Sequence, residues 1–376
     1  MAPLHWGLKK GRQSAESVGC HGAAQNPLSS ALLRCPRCEG KTHDLFYQST
    51  YSTRAGSRRL WGCSECGQCL SERRGTAFFN LKTAEDEVCR SIDAMLRGDT
   101  QTSTSRTRRH GRDTLRRWRR RAAPCARAVD SDFVTDLCVT DLELDEQWSF
   151  AGWKKAEFAE SSERGEAWWH KAMARESRLL VEHFVSPRTT EAAEMLVNPS
   201  FDRLALGCLP RVSSDGYDAY TKPLSEQVRA LRVYPLWWAL TRKGKPGWPP
   251  KPQSIPDPGL LYGQVVKERE GRKIVKVEKR LALGPPSTEL AFVSTSLLER
   301  QNGAARSRNR YLVRKTYAFA KTVLYMDDQC EVYKTFYNFC RKHRGLKGET
   351  PSMRHGLTDH VWTVAEVLGY RSAAPG

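Results

Sequence analysis

Four cysteines form two Cys-x-x-Cys pairs, Cys35 with Cys38 and Cys63 with Cys66, separated by 24 residues. Each pair presents two thiolates from a tight turn, so the two pairs together can wrap one Zn²⁺ tetrahedrally as a structural ion. The stretch between them, "DLFYQSTYSTRAGSRRLWG", reads as β-structure with a turn at Ala55-Gly56, which suits a zinc ribbon. Cys69 extends the second pair and could replace Cys63 as a ligand. Unrelated thiols or a redox pair are the competing reading.

The second chemical signal is acidic. In "LELDEQWSFAG" (residues 142–152) the pattern is that of a β-strand, whose side chains alternate between faces. Leu142, Leu144, Trp148 and Phe150 then share one face. Glu143, Asp145, Gln147 and Ser149 share the other, and Glu146 falls opposite Asp145. A mid-strand carboxylate costs free energy unless it is paired or bound to a cation. Asp215 follows the strand signal "LALGCLPRVSS", and strand ends are where open α/β sheets place ligands. Glu299 begins the basic stretch "LLERQNG". Three carboxylates from two strands and a helix could hold a pair of Mg²⁺ ions for phosphodiester cleavage. Each has a plainer reading: Asp145 paired with an arginine, Asp215 in a turn with Gly216, Glu299 closing a capping box with Ser296.

These residues need a scaffold. Val88, Ile92, Met95 and Leu96 recur at helical spacing from Ala84, and Gly98 ends that helix. A polar stretch follows, then "TLRRWRRRAA", a helix dense in arginine. Between Arg106 and Arg127 there are ten arginines against one aspartate, with Trp118 interleaved. Helix, turn and basic helix suggest a helix-turn-helix contacting DNA through Arg116, Arg117, Trp118, Arg119 and Arg120. A solvated basic linker is the rival, because "TQTSTSRTRRHGRD" lacks apolar residues for packing. From about residue 130 strand and helix signals alternate, giving a mixed α/β class. One short helix ends at Asn198-Pro199. Residues 221–290 break the rhythm with a Pro/Gly-rich loop and a hairpin turning at Glu270-Gly271, read as an insertion or arm. From Ser296 the chain reads as helical through Asp328. A further helix carries Tyr333, Phe336, Tyr337 and Cys340 at core spacing.

The chain has 376 residues, enough for two or three domains, and a formal charge of +19. Such an excess suits a polyanionic partner, with nucleic acid the common one. No run of about eighteen apolar residues predicts a membrane span. The first 27 residues lack the apolar core of a signal peptide. Cysteines in a metal-type spacing fit a reducing compartment, so a cytoplasmic protein, nucleoid-associated when bound to DNA, is expected.

The combination resembles the DDE transposases of short bacterial insertion sequences, near the IS-one group, from about Arg34 to Gly369. "CPRC…RRLWGCSECG" looks like that family's zinc ribbon, and "DTLRRWRRRAA" like its recognition helix. "LDEQWSF", "SSDGYDAY" and "LLERQNG" are similar to its three catalytic motifs, carried here by Asp145, Asp215 and Glu299. "TPSMRHGLTDHVWTVAEVL" is similar to a recurring end segment. The resemblance implies an RNase H-like core, two Mg²⁺ or Mn²⁺ ions, hydrolysis at the element's ends and transfer of the freed 3′-hydroxyl into target DNA. A homodimer or higher oligomer on DNA is expected. Arg300, Asn302, Arg306 and Arg310, taken to lie along one helix, are candidate DNA contacts. The implied layout is a disordered tail (1–30), a zinc ribbon (31–82), a helix-turn-helix-like segment (83–128), an RNase H-like catalytic domain (129–350, with insertion 221–290) and a C-terminal extension (351–376). Two departures stand out: the polar middle of the helix-turn-helix and the 84-residue interval from Asp215 to Glu299. A non-catalytic zinc-ribbon regulator and an RNase H-like nuclease without strand transfer remain the alternatives.

Overall fold

The computed structural model describes residues 33–38, 45–54, 56–154, 163–232, 253–271 and 273–371. The tail expected at 1–30 and the first part of the Pro/Gly-rich loop lie outside them. The chain opens on a small antiparallel sheet, ordered β1 (Leu45–Thr53), β2 (Gly56–Cys63) and β3 (Cys69–Ser71). Gly56 sits at φ +103°, a conformation a side chain would strain, so the hairpin turn falls where a glycine is available. The centre of this unit is small: Leu33, Cys35, Cys63 and Leu70.

Three helices follow, α1 (Glu85–Leu96), α2 (Gln101–Arg108) and α3 (Arg112–Phe133). The α1 stripe Val88, Ile92, Met95 and Leu96 is buried, as its spacing predicts. The expected polar stretch forms a helix after all. Thr100 caps α2 by accepting from the Ser103 amide, and Thr104 is its buried residue. α3 runs for 22 residues and passes through Pro124. Proline removes one helical hydrogen bond, but Leu115, Trp118, Ala122, Ala126 and Val129 form a buried face that outweighs the loss. A domain boundary at 128/129 is therefore corrected, since it would cut this helix.

The main sheet has six strands. β4 (Asp141–Ala151), β5 (Gly165–Ala174) and β6 (Leu179–Ser186) form an antiparallel run, followed by α4 (Thr190–Asp202), which continues through Pro199 rather than ending there. β7 (Arg211–Asp215) returns parallel to β4. After α5 (Thr221–Gln227), the strands β8 (Arg229–Arg232) and β9 (Gln253–Pro256) pair with each other. Next, β10 (Tyr262–Glu270) and β11 (Lys273–Leu283) make the hairpin, with Gly271 at φ +59°. The sheet order is β11-β10-β7-β4-β5-β6. Because β10 runs parallel to β7 from Tyr262 to Val265, the hairpin's base belongs to the sheet and is not part of a separate arm.

The last helices are α6 (Ser296–Arg308), α7 (Val323–Thr335) with a π-turn at Phe336–Cys340, α8 (Pro351–His355) and α9 (Val364–Gly369). α6 stops at Arg308, so the continuous helix expected to Asp328 is interrupted by an irregular segment over 309–322. One hydrophobic core joins Val88, Trp118, Leu144, Tyr333 and Trp362. The end segment is part of it. Phe133 packs edge-on against Phe339, Trp362 and Tyr370, and the Ala77 amide donates to the Leu368 carbonyl. Buried charges clamp the same region, with Asp130 of α3 bound to Lys334 of α7 at 2.7 Å and to Arg203 at 2.6 Å. Among the described residues, no helix is long and apolar enough to cross a membrane.

Candidate active-site cleft and cysteine cluster

The sulfurs of Cys35, Cys38, Cys63 and Cys66 all lie within 4.8 Å of one another. Cys35 Sγ is 3.5 Å from Cys66 Sγ, and Cys63 Sγ is 3.8 Å from Cys38 Sγ. A tetrahedron of zinc–sulfur bonds of about 2.3 Å has edges of about 3.8 Å, so the cluster could hold a structural zinc. Burial would raise the Cys35 thiol, but the amides of Arg37 and Cys38 bring it down to about 7. Contact with Cys66 pushes Cys38 up to about 12. Bare thiols cannot all ionise together; a cation at the centre would let them. Cys69 stands outside the group, exposed, with its thiol on the Gln48 side-chain oxygen at 3.0 Å. Cys63 keeps its place.

A second group assembles on the main sheet. Asp145, Glu146 and Asp215 each offer one oxygen within 4.8 Å of the others. Opposite ligands across a Mg²⁺ ion are about 4.2 Å apart, so this spacing suits a divalent cation. β4 brings Asp145 and Glu146, and β7 delivers Asp215 as its last residue. Alternation puts Glu146 on the face opposite Asp145, and the unbroken pairing of β4 with β5 through both residues agrees with it. β4 pairs with β7 only over Asp141–Glu143, so beyond it the edge of β4 is open towards the end of β7. Side chains from both faces can reach that opening.

Surrounding groups fix the carboxylates. Tyr220 donates its hydroxyl to Glu146, and Arg188 donates Nη2 to the same carboxylate at 3.0 Å. The Arg188 guanidinium lies 3.8 Å from the Tyr217 ring centre and 3.8 Å from Asp215. Burial, with Asp215 and Asp145 alongside, pushes Glu146 up to about 7. Burial and the neighbouring Asp215 likewise raise Asp145, against the attraction of Lys171. Lys171 is fully buried on β5, directly opposite Asp145 in the register. Its Nζ donates to Gln301 at 2.8 Å, to Gln147 at 3.2 Å and to Asn302, whose amide in turn donates to Asp145. Sequence reasoning missed Lys171; the available signal was a lysine inside the apolar run "WWHKAMA".

Glu143, on the same strand two residues before Asp145, is structural. It is wholly buried, accepts from Arg175 at 2.9 Å and from the Leu298 amide at 2.9 Å, and so caps the N-terminus of α6. Glu299, on the first turn of α6, shares the cleft with Asp145 and Asp215 but stands outside the close group. Its carboxylate accepts from Thr295 at 2.7 Å and from Lys267. Partial burial opposes its ionisation, yet Lys267 and Thr295 hold it below the usual carboxylate range. It makes no capping box with Ser296. The cleft measures about 760 Å³, and Arg188, Lys267, Arg269, Arg306 and Arg314 line it beside the acids. Carboxylates and basic side chains thus adjoin in one cleft.

The candidate DNA contacts divide. Arg117, Arg120 and Arg300 are exposed, and Arg116 is half-buried. Trp118 and Arg119 are corrected: both are buried, because α3 turns that stripe to the core, and Arg119 donates to the Tyr311 hydroxyl. Asn302 is buried against Asp145 rather than displayed on the helix. Arg306 lines the cleft. Arg310 lies past the end of α6 and donates to the Gly98 carbonyl.

No family model matches this chain, and no curated protein matches it.

Proposed function

We propose that the protein is a DDE-type transposase that cuts DNA at the ends of an insertion sequence and joins the freed 3′-hydroxyl to target DNA. The observation carrying this reading is the convergence of Asp145 and Asp215, from separate strands, in a basic cleft that Glu299 also lines. Strand order supports an RNase H-like core: β6, β5 and β4 are antiparallel neighbours, and β7 and β10 extend the sheet parallel to β4. The four-sulfur geometry supports Zn²⁺ in the ribbon.

Two Mg²⁺ or Mn²⁺ ions, when bound, would activate the attacking oxygen and stabilise the leaving one. The chain's own part is to hold and orient. Asp145 and Asp215 supply the shared ligands, and Asn302 keeps Asp145 pointed into the cleft. Glu146 and Glu299 are the two available third carboxylates. Arg306 and Arg314 neutralise the scissile strand's phosphates. Exposed Arg117 and Arg120 of α3 meet DNA outside the cleft, and an oligomer is expected to bring two ends together.

The test uses purified protein, Mg²⁺ or Mn²⁺, and duplexes carrying the sequences that flank the gene. The expected result is nicking followed by strand transfer, with Asp145→Asn reducing both by more than about a hundredfold. Cleavage without joining would leave a nuclease. DNA binding with no metal-dependent cleavage, unchanged by substituting Asp145, Asp215 and Glu299 together, would leave a regulator.

A further inference from the structure

The irregular segment between α6 and α7 connects two clefts. Arg306 and Arg314 line the carboxylate cleft, while Arg310, Tyr311, Tyr317 and Lys321 line a second groove against the start of α3. That groove measures about 510 Å³. Its chemistry is an interleaving of cations and rings. Arg119 lies 4.7 Å from the Tyr311 ring centre, Lys321 3.8 Å from Phe319, and Arg116 5.8 Å from Tyr325. Arg112 adds an exposed charge, against two acids, Asp99 and Asp113. Tyr317 is the exception among the rings, because the residue is fully exposed. A tyrosine held fully in water beside a basic groove buries nothing in the folded chain, and its free π-face suits a nucleobase.

We infer that this groove takes an unpaired nucleotide of the DNA, its base stacked on Tyr317 and its phosphates met by Arg112, Arg310 and Lys321. The volume is too small for a double helix but lies within the range of about 300 to 1,000 Å³ that holds small-molecule-sized groups. Stacking on an aromatic face is tolerant of sequence and needs a base freed from its duplex. The continuous chain from Arg306 to Lys321 places the groove next along the backbone from the cutting site. A strand leaving the carboxylates could therefore be held open there. This rests on the DNA-processing reading.

The experiment compares binding to a blunt duplex and to the same duplex with a short unpaired overhang carrying 2-aminopurine. The full-length protein is expected to prefer the overhang by about tenfold and to quench the probe's fluorescence. Tyr317→Ala should bring the ratio of the two affinities close to one and abolish quenching, while Tyr317→Phe retains both. Because Tyr317 makes no buried contact, loss of folding is not expected to confuse the result. A wild-type ratio of one, or an unchanged ratio in Tyr317→Ala, overturns the inference. If metal-dependent cleavage persists in that case, the proposed function stands without it. If the protein binds no DNA of either kind, both fall.

Discussion

In the ribbon, four sulfurs come from a single span, Cys35 to Cys66, and backbone turns hold them. In the cleft, Asp145, Glu146 and Asp215 come from two strands and are held by side chains of other elements: Arg188, Tyr220, Asn302 and Lys171. The ribbon has almost no core of its own, four buried residues, so a cation held by its four sulfurs would carry much of its stability. The cleft is cut into a core that stands without one. A cation there would change protonation and chemistry but not the fold. The two clusters thus differ in what a bound cation could do: hold the fold together in one, and charge the carboxylates of an already folded cleft in the other.

The largest effect expected is on the ribbon. Stripping metal with a strong chelator, or Cys35→Ser with Cys38→Ser, should unfold β1–β3 while the six-stranded sheet persists. Structural zinc in comparable small units contributes about 10–16 kcal/mol of apparent binding free energy. Hydrogen exchange would show amides 45–63 losing protection with those of β4 and β5 unchanged. Retained protection in the ribbon would break the contrast.

A smaller effect is expected at the cleft. Glu146 has a folded pKa of about 7 against the ordinary 4.5. Between those values the folded chain holds a proton that the unfolded chain gives up. Its contribution to stability is therefore full below about pH 4.5 and lost as the pH rises through 7. In magnesium-free buffer the melting temperature should fall from pH 5 to pH 8, and Glu146→Gln should flatten that fall by on the order of 2–3 kcal/mol. Added Mg²⁺ should restore the wild type at pH 8, where the carboxylate is wanted charged. Superimposable pH profiles for wild type and variant would contradict the assignment.

The same contrast explains what the sequence could reveal. Cysteine spacing is local, so the clustering of the ribbon's four cysteines was legible outright, as were the buried stripe of α1 and the turn at Gly271. Asp145 and Asp215 were legible as carboxylates at strand positions, but their meeting depends on β4 and β7 pairing across the intervening strands. The meeting of Glu146 with Asp145 was not legible, because alternation puts them on opposite faces and only the open edge of β4 beyond Glu143 lets both reach Asp215. Pro199 signalled a helix end where none occurs. It sits in a helix whose buried residues Leu196 and Val197 outweigh a single lost hydrogen bond, as Ala122 and Ala126 do around Pro124. The parallel pairing of β10 with β7 left no local mark, which is why the hairpin read as an arm. Trp118 and Arg119 fell on the face that α3 buries, and only the direction of the helix could reveal that.

The central claim is that the carboxylate cleft binds divalent cations that the ribbon does not. Mn²⁺ binding, followed by titration calorimetry and by the loss of the free-ion paramagnetic resonance signal, tests it on zinc-loaded protein. The account predicts at least one Mn²⁺ bound at neutral pH by the wild type, with none retained by Asp145→Asn/Asp215→Asn while the zinc content stays the same. Equal Mn²⁺ binding by the two proteins would contradict it.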